Sequence, residues 1–230
     1  MKFGVVTFPG SNCNQDMVYV LKEKLNLEVV ELWHKNTSIE GCDAIVLPGG
    51  FSYGDYLRSG AIARFSPLMK EVINHAQNGG IVIGVCNGFQ ILCESKLLPG
   101  ILIKNKELSF ICEWSNLKVN NDSIFTSEFK KDEIINIPIS HGEGNFQADK
   151  ATIDELETEN RIIFRYCSNI GIIDEKSNPN GSINNIAGIT NKKGNVLGMM
   201  PHPEKACEKL IGGDDGLGIF KSVIEKVLNG

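Results

Sequence analysis

No stretch of this 230-residue chain is apolar for long enough to cross a bilayer, and no run of lysine and arginine is long enough to form a polyanion-binding surface. The first absence excludes a membrane-spanning helix. The second, with a formal net charge of -5 at pH 7, argues against nucleic acid and anionic membranes as partners. Seven cysteines are present, yet no two form a C-x-x-C pair, which excludes a zinc ribbon and a thioredoxin-type motif. An odd, scattered set fits reduced thiols in a cytoplasm. A phosphate loop is missing as well. Pro9-Gly10-Ser11-Asn12 is followed by no G-K-[ST], so it reads as a strand-to-helix turn with Ser11 or Asn12 as the helix cap. Repeats and low-complexity linkers are absent, and one domain over residues 1–230 is expected. Met1-Lys2-Phe3-Gly4-Val5-Val6 runs straight into a strand-like pattern, so a soluble, unexported, cytoplasmic protein is expected.

What is there is an ordinary globular composition, 42% hydrophobic and 22% charged. Strand-like runs at Lys2 to Phe8, Glu28 to Trp33, Ala44 to Pro48 and Ile81 to Val85 alternate with helical patterns at Asn14 to Leu25 and Arg58 to Asn78. Pro67 fits only the first turn of a separate helix, and Gly79-Gly80 ends it. This alternation predicts an α/β fold with an open, mostly parallel, flavodoxin-like sheet and helices on both faces. Ligands on such sheets sit at the carboxyl ends of the strands, where Pro9-Gly10, Pro48-Gly49-Gly50 and Cys86 would all fall. From about Leu98 the pattern changes to short strands with turn signals at Asn120-Asn121-Asp122 and Asn178-Pro179-Asn180-Gly181, read as an antiparallel extension. Asn195 to Met200 reads as a further strand. Asp214 or Asp215 is expected to cap a last helix to about Leu228, with Gly230 beyond it.

The chemistry concentrates at Gly84-Val85-Cys86-Asn87-Gly88-Phe89-Gln90, directly after Ile81-Val82-Ile83. A reactive side chain with glycine two residues before and two after, between an apolar run and a helix start, reads as a nucleophile elbow. The helix N-terminus there favours thiolate over thiol. A cysteine that attacks a carbonyl needs a base, and of four histidines His202 stands out in Met200-Pro201-His202-Pro203-Glu204. The residue before a proline is pushed into extended conformation, where residues i and i+2 point the same way, so Glu204 is expected beside the His202 ring. There it would hold the tautomer and stabilise the imidazolium. Gly50, after the strand ending in Leu47-Pro48, and Asn87, after the nucleophile, are the expected oxyanion N–H donors. His34 and His75 read as packing or surface residues. His141, in Ser140-His141-Gly142-Glu143-Gly144-Asn145-Phe146, reads as a binding or loop-positioning residue, and with Glu143 alone it cannot constitute a metal site.

Together the elbow string and Pro201-His202-Pro203-Glu204 resemble the class I, or triad, glutamine amidotransferases. Within that class PGGFSYGDYLRSGAIA (Pro48 to Ala63), SHGEGNF and NPNGS resemble the glutaminase subunits of phosphoribosylformylglycinamidine synthases of purine biosynthesis, nearly end to end. The resemblance implies that Cys86 attacks the glutamine amide, His202 shuttles the proton and Glu204 orients His202. It also implies substrate-holding roles for Gln90 and the Gly144 to Phe146 backbone. No metal or cofactor is implied in this chain; ATP and magnesium belong to a separate synthase subunit, joined by a small third subunit. Lys205 departs from the arginine common after the H-P-E motif, which bears on a partner or loop contact. Two other readings keep part of the pattern: an amidotransferase subunit of another pathway, and a non-enzymatic flavodoxin-like or ThiJ-type protein whose elbow cysteine senses oxidation.

Overall fold

The computed structural model describes residues 1–229; the expected stop at Gly230 lies outside them. In chain order the strands are β1 (Lys2–Thr7), β2 (Glu28–Trp33), β3 (Ala44–Leu47), β4 (Ile81–Val85), β5 (Ile101–Ile103), β6 (Ile111–Val119), β7 (Ile134–His141), β8 (Asn145–Gln147), β9 (Ile162–Tyr166), β10 (Ile186–Thr190) and β11 (Val196–Met199). The helices are α1 (Asn14–Tyr19), α2 (Pro67–Gln77), α3 (Asn87–Glu94), α4 (Lys150–Thr158) and α5 (Gly216–Asn229).

Nine strands form one mixed sheet in the order β2-β1-β3-β4-β11-β10-β9-β6-β7, and β5 pairs β8 in a small separate ribbon. Strands β2, β1, β3, β4 and β11 run parallel. The remaining pairings are antiparallel, so the expected doubly wound sheet with an antiparallel extension is what the chain builds. The reason lies in the side chains. Every residue of β3 and β4 is buried, as covered parallel strands require, whereas β7 buries alternate residues, Ile135, Ile137, Ile139 and then His141. That period carries His141 onto the buried face.

Helix α2 starts at Pro67, as the sequence indicates, and lays Leu68, Met69, Val72 and Ala76 into the core. Residues 57–62 before it are turns and 63–65 a 3-10 turn, not a continuation of the helix. Asn14 to Leu25 begins as α1 but widens over Val20–Lys24 into a π turn, closed by Leu25 N–H to the Val20 carbonyl at 3.0 Å. Neither Ser11 nor Asn12 caps α1. Cys13 holds the cap position, Ser11 Oγ turns back to accept from Phe8 N–H, and Asn12 Oδ1 faces the Cys13 thiol. Asp215 immediately precedes α5, and its side chain accepts from Asn136 N–H of β7 at 2.7 Å. Helix α4 falls where only short strands were expected; Asp149 caps it by accepting from Thr152 N–H, and only Ile153 and Leu156 are buried.

The carboxyl ends of β1, β3, β4 and β11 lie side by side, with Ser11 bridged to Gly50. The first turn of α3 is pressed on β3, because a Cβ on Gly88 would overlap the Leu47 carbonyl oxygen. Gly88→Ala is therefore expected to lower the unfolding free energy by about 1–3 kcal/mol, as overpacking does. Urea denaturation reads this directly, and an unchanged midpoint would show that the turn has room to spare.

Candidate active site

Strand β4 ends at Val85, and Cys86 stands between it and α3 with φ 51° and ψ -106°, a left-handed conformation that a side chain adopts at a cost of about 1–3 kcal/mol. Its neighbours hold it there. Cys86 N–H donates to the Met199 carbonyl of β11 at 2.8 Å, and the Cys86 carbonyl accepts from Phe89 and Gln90 N–H. A Cβ on Gly84 would come within 2.7 Å of the Gly88 carbonyl, so glycine is required on both sides of the turn. The thiol lies at the N-terminus of α3, 3.6 Å from the Ser140 carbonyl of β7.

His202 arrives from β11, and its N–H donates to the Pro138 carbonyl of β7 at 2.8 Å. Its Nδ1 lies 2.6 Å from Glu204 Oε1, and both side chains are buried. Glu204 reaches the ring from a 3-10 turn over Pro203–Lys205, so the expected neighbour is right but the extended-chain reason for it is not. Burial alone would lower the His202 pKa; the charges of Glu204 and Cys86 outweigh it and hold the imidazolium well above its usual range. His202 Nε2 and Glu204 Oε2 are buried without hydrogen-bond partners.

The expected oxyanion donors, Gly50 and Asn87, stand on the loop after β3 and at the start of α3. Gly50, at φ +138°, lines the same cavity as Cys86, Asn87 opens α3, and neither N–H donates to a backbone carbonyl among the described residues. The Asn87 and Gln90 side chains act as fasteners. Asn87 Oδ1 accepts from Ser52 N–H at 3.1 Å, Asn87 Nδ2 donates to Gln90 Oε1 at 2.8 Å, and Gln90 Nε2 donates to the Glu143 carbonyl at 2.7 Å. One helix start thus ties down the loop after β3 and the loop after β7. Buried His34 secures the first loop again through the Tyr53 hydroxyl at 2.7 Å.

His141 and Gln90 line a cavity of ≈ 340 Å³ that opens at Cys86. Burial and the nearby His202 charge push the His141 pKa down to about 4, so the ring is neutral near pH 7. Its Nδ1–H donates to Asn105 Oδ1 at 3.1 Å, leaving Nε2 as the acceptor toward Asn180. Gly144 and Phe146 do not line the cavity. Gly144 N–H is spent on Asn105 Oδ1 and Phe146 N–H on Ser182 Oγ, and the buried Phe146 ring stacks on Phe89.

Several neighbours of the site carry no local signal in the sequence. Cys13 sets its sulfur beside the ring: Cys13, His202 and Glu204 each place a metal-type donor atom within 4.8 Å of the others. The 2.6 Å bond between His202 and Glu204 already engages a donor on each of those two residues. Lys205 is half-buried near the same sulfur; burial works against its charge, and Cys13, Glu204 and Asp16 together hold its pKa above the usual value. Asp55, Ser59 and Glu143 also line the cavity. In the loop after β3, Tyr53, Asp55 and Leu57 all take positive φ. All seven cysteines are free, and all but Cys112 are buried.

Among known proteins, residues 1–212 match the CobB/CobQ-like glutamine amidotransferase domain. The chain is 55% identical over 226 residues to the phosphoribosylformylglycinamidine synthase subunit PurQ of Moorella thermoacetica, covering 98% of this chain and 96% of that one. It is 52% identical over 229 residues to the same subunit of Trichormus variabilis, with 99% of each chain covered. A chain of the PurLQS structure of Thermotoga maritima superposes with a TM-score of 0.85 at 41% identity, covering 98% of each. A reactive-cysteine elbow facing a buried histidine–glutamate pair is thus accompanied by likeness over nearly the whole length, and the chain belongs to the glutamine amidotransferase family, in its phosphoribosylformylglycinamidine synthase PurQ branch.

Proposed function

We propose that this chain releases ammonia from glutamine as the glutaminase subunit of a phosphoribosylformylglycinamidine synthase. The observation that carries the reading is the buried His202–Glu204 pair set against the strained elbow at Cys86. In the first half-reaction the Cys86 sulfur bonds to the glutamine side-chain carbonyl carbon, and the oxyanion settles on the Gly50 and Asn87 N–H groups. His202 gives its proton to the leaving nitrogen, the C–N bond breaks and ammonia departs, leaving a thioester. Water then attacks the thioester with His202 as base, the C–S bond breaks, and glutamate leaves with the thiol restored. Glu204 holds the ring through Nδ1 and balances its charge while Nε2 handles the proton. Gln90 and His141 hold the cavity walls, and Gly144 and Phe146 support the second loop from behind.

Ammonia is useful only if it meets an activated acceptor before escaping. The partner that supplies one is an ATP- and magnesium-dependent synthase subunit, with a small third subunit completing a cytoplasmic complex. Support comes from the PurLQS structure, one of whose chains this protein resembles end to end. Among the described residues, no helix is long and apolar enough to cross a membrane.

In the assembled enzyme Cys86→Ala is expected to abolish glutamine-dependent amidine formation while ammonia-dependent formation continues. Glutamine use that survives in this variant overturns the nucleophile assignment. Glu204→Gln keeps the ring's neighbour but removes the charge that raises its pKa, so the ring should titrate at lower pH and kcat should fall on the order of a hundredfold or more, with KM little changed. The pH profile of glutaminase activity and histidine NMR together check both effects.

A further inference from the structure

Cys13 has no part in the steps above, yet its sulfur is buried beside the base. Among the described residues, Cys13, His202 and Glu204 are the one set of three that brings metal-type donor atoms, a sulfur, a ring nitrogen and a carboxylate oxygen, within 4.8 Å of one another. All three are nearly inaccessible, at 5%, 1% and 3% exposure. Cys13 stands at the start of α1, tied by its N–H to the Gly49 carbonyl at 3.3 Å, and the other two follow β11. Gly49 lets them meet. A Cβ there would come within 2.6 Å of His202 Cε1 and 3.4 Å of Cys13 Sγ, so ring edge and sulfur both come up against the same bare backbone.

The donors are not used up by one another. Glu204 Oε1 is engaged by His202 Nδ1 at 2.6 Å, but Glu204 Oε2 and His202 Nε2 are each buried without a hydrogen-bond partner. A thiol, an imidazole and a carboxylate together are a donor set for zinc, whereas magnesium and calcium take oxygen ligands. Zinc bond lengths put neighbouring donors roughly 3–4 Å apart around a tetrahedral ion, so the three groups need move little to share one. Thiolate and carboxylate would offset the charge of the ion. Lys205, half-buried near the same sulfur, opposes it, so the ion is held less tightly than in a closed four-ligand site.

We propose that Cys13, His202 and Glu204 form an inhibitory site for a zinc-type divalent cation, which takes the base out of service when it binds. The Cys13 thiol and the His202 imidazolium each give up one proton to water as the ion enters. On Nδ1 the ion leaves the remaining ring proton fixed on Nε2; on Nε2 it fills the place that proton needs. Either way the ring can no longer exchange a proton with Cys86 or with the leaving nitrogen. The metal site stands on geometry alone, and its effect on turnover rests on the reading that glutamine is hydrolysed at Cys86.

Cobalt(II) replaces zinc for the test, because a cobalt–thiolate bond absorbs in the near ultraviolet. Full-length wild-type, Cys86→Ala, Cys13→Ala and Cys13→Ser chains are each incubated with one equivalent of cobalt. The band is expected in wild type and Cys86→Ala, absent from both Cys13 variants, abolished by added zinc and unmoved by excess magnesium. In the assembled synthase complex, zinc should lower the ratio of glutamine-dependent to ammonia-dependent synthesis, and a zinc-selective chelator should restore it. Cys13→Ala should raise the zinc concentration for half-inhibition on the order of tenfold to a hundredfold, each chain being read against its own zinc-free rate. No band in wild type, a band retained in the Cys13 variants, or equal zinc sensitivity of wild type and Cys13→Ala overturns the site. Circular dichroism shows whether each variant folds, and if Cys13→Ala does not, Cys13→Ser decides by the same criteria. If metal-free wild-type complex makes no use of glutamine, the glutaminase reading falls, and the cobalt band still decides the metal site.

Discussion

The close approach of α3 to β3 governs the arrangement of the site. Because Gly88 lies directly against the Leu47 carbonyl, the helix starts as soon as β4 ends, and the residue between them has no choice but the left-handed conformation found at Cys86. From that one constraint follow the outward placement of the sulfur, the helix N-terminus beside it and the free N–H of Asn87. Strain of this size persists only because many other contacts determine the turn.

The same helix start also sets the walls. Asn87 and Gln90 are polar, nearly buried and fully engaged with each other and with two loops, Ser52 on one side and Glu143 on the other. In a low-dielectric interior such a chain of hydrogen bonds is rigid when complete and costly when broken. Across the cavity β7 does comparable duty for the base, since its Pro138 carbonyl receives His202 N–H and its Ser140 carbonyl faces the Cys86 thiol. Nucleophile, base and walls therefore hang on three elements, helix α3 and strands β7 and β11. Chemistry that needs atoms placed to fractions of an ångström is well served by so few supports.

What could be read from the sequence was what is local or periodic. The elbow announces itself because strand, turn glycines and helix start are contiguous, and β3, β4 and β7 announce themselves by their burial periods. Glu204 was found beside His202 through spacing alone, although a 3-10 turn delivers it. Helix α4 escaped notice because two buried apolar residues, Ile153 and Leu156, make too faint a stripe. The neighbours Cys13 and Asp55 are a different case: the strand order places their loops at the site, but nothing in those loops singles out these two side chains, and Glu143 enters the sequence reading only as a companion of His141. Phe146 shows the converse, a position expected at the substrate by resemblance whose ring is wholly buried and whose N–H is committed to Ser182.

The place of β11 in the sheet has a consequence for how the protein comes to exist. It is among the last strands made, yet it inserts between β4 and β10, and its Met199 carbonyl receives the Cys86 N–H. During synthesis the first four strands can pair as soon as they emerge, but β4 then presents a bare, wholly apolar edge until the chain reaches Val196. Such edges invite pairing with other chains. The strand that leads to the nucleophile is thus also an exposed apolar edge of the nascent protein, and the segment that covers it is the one that leads directly into His202.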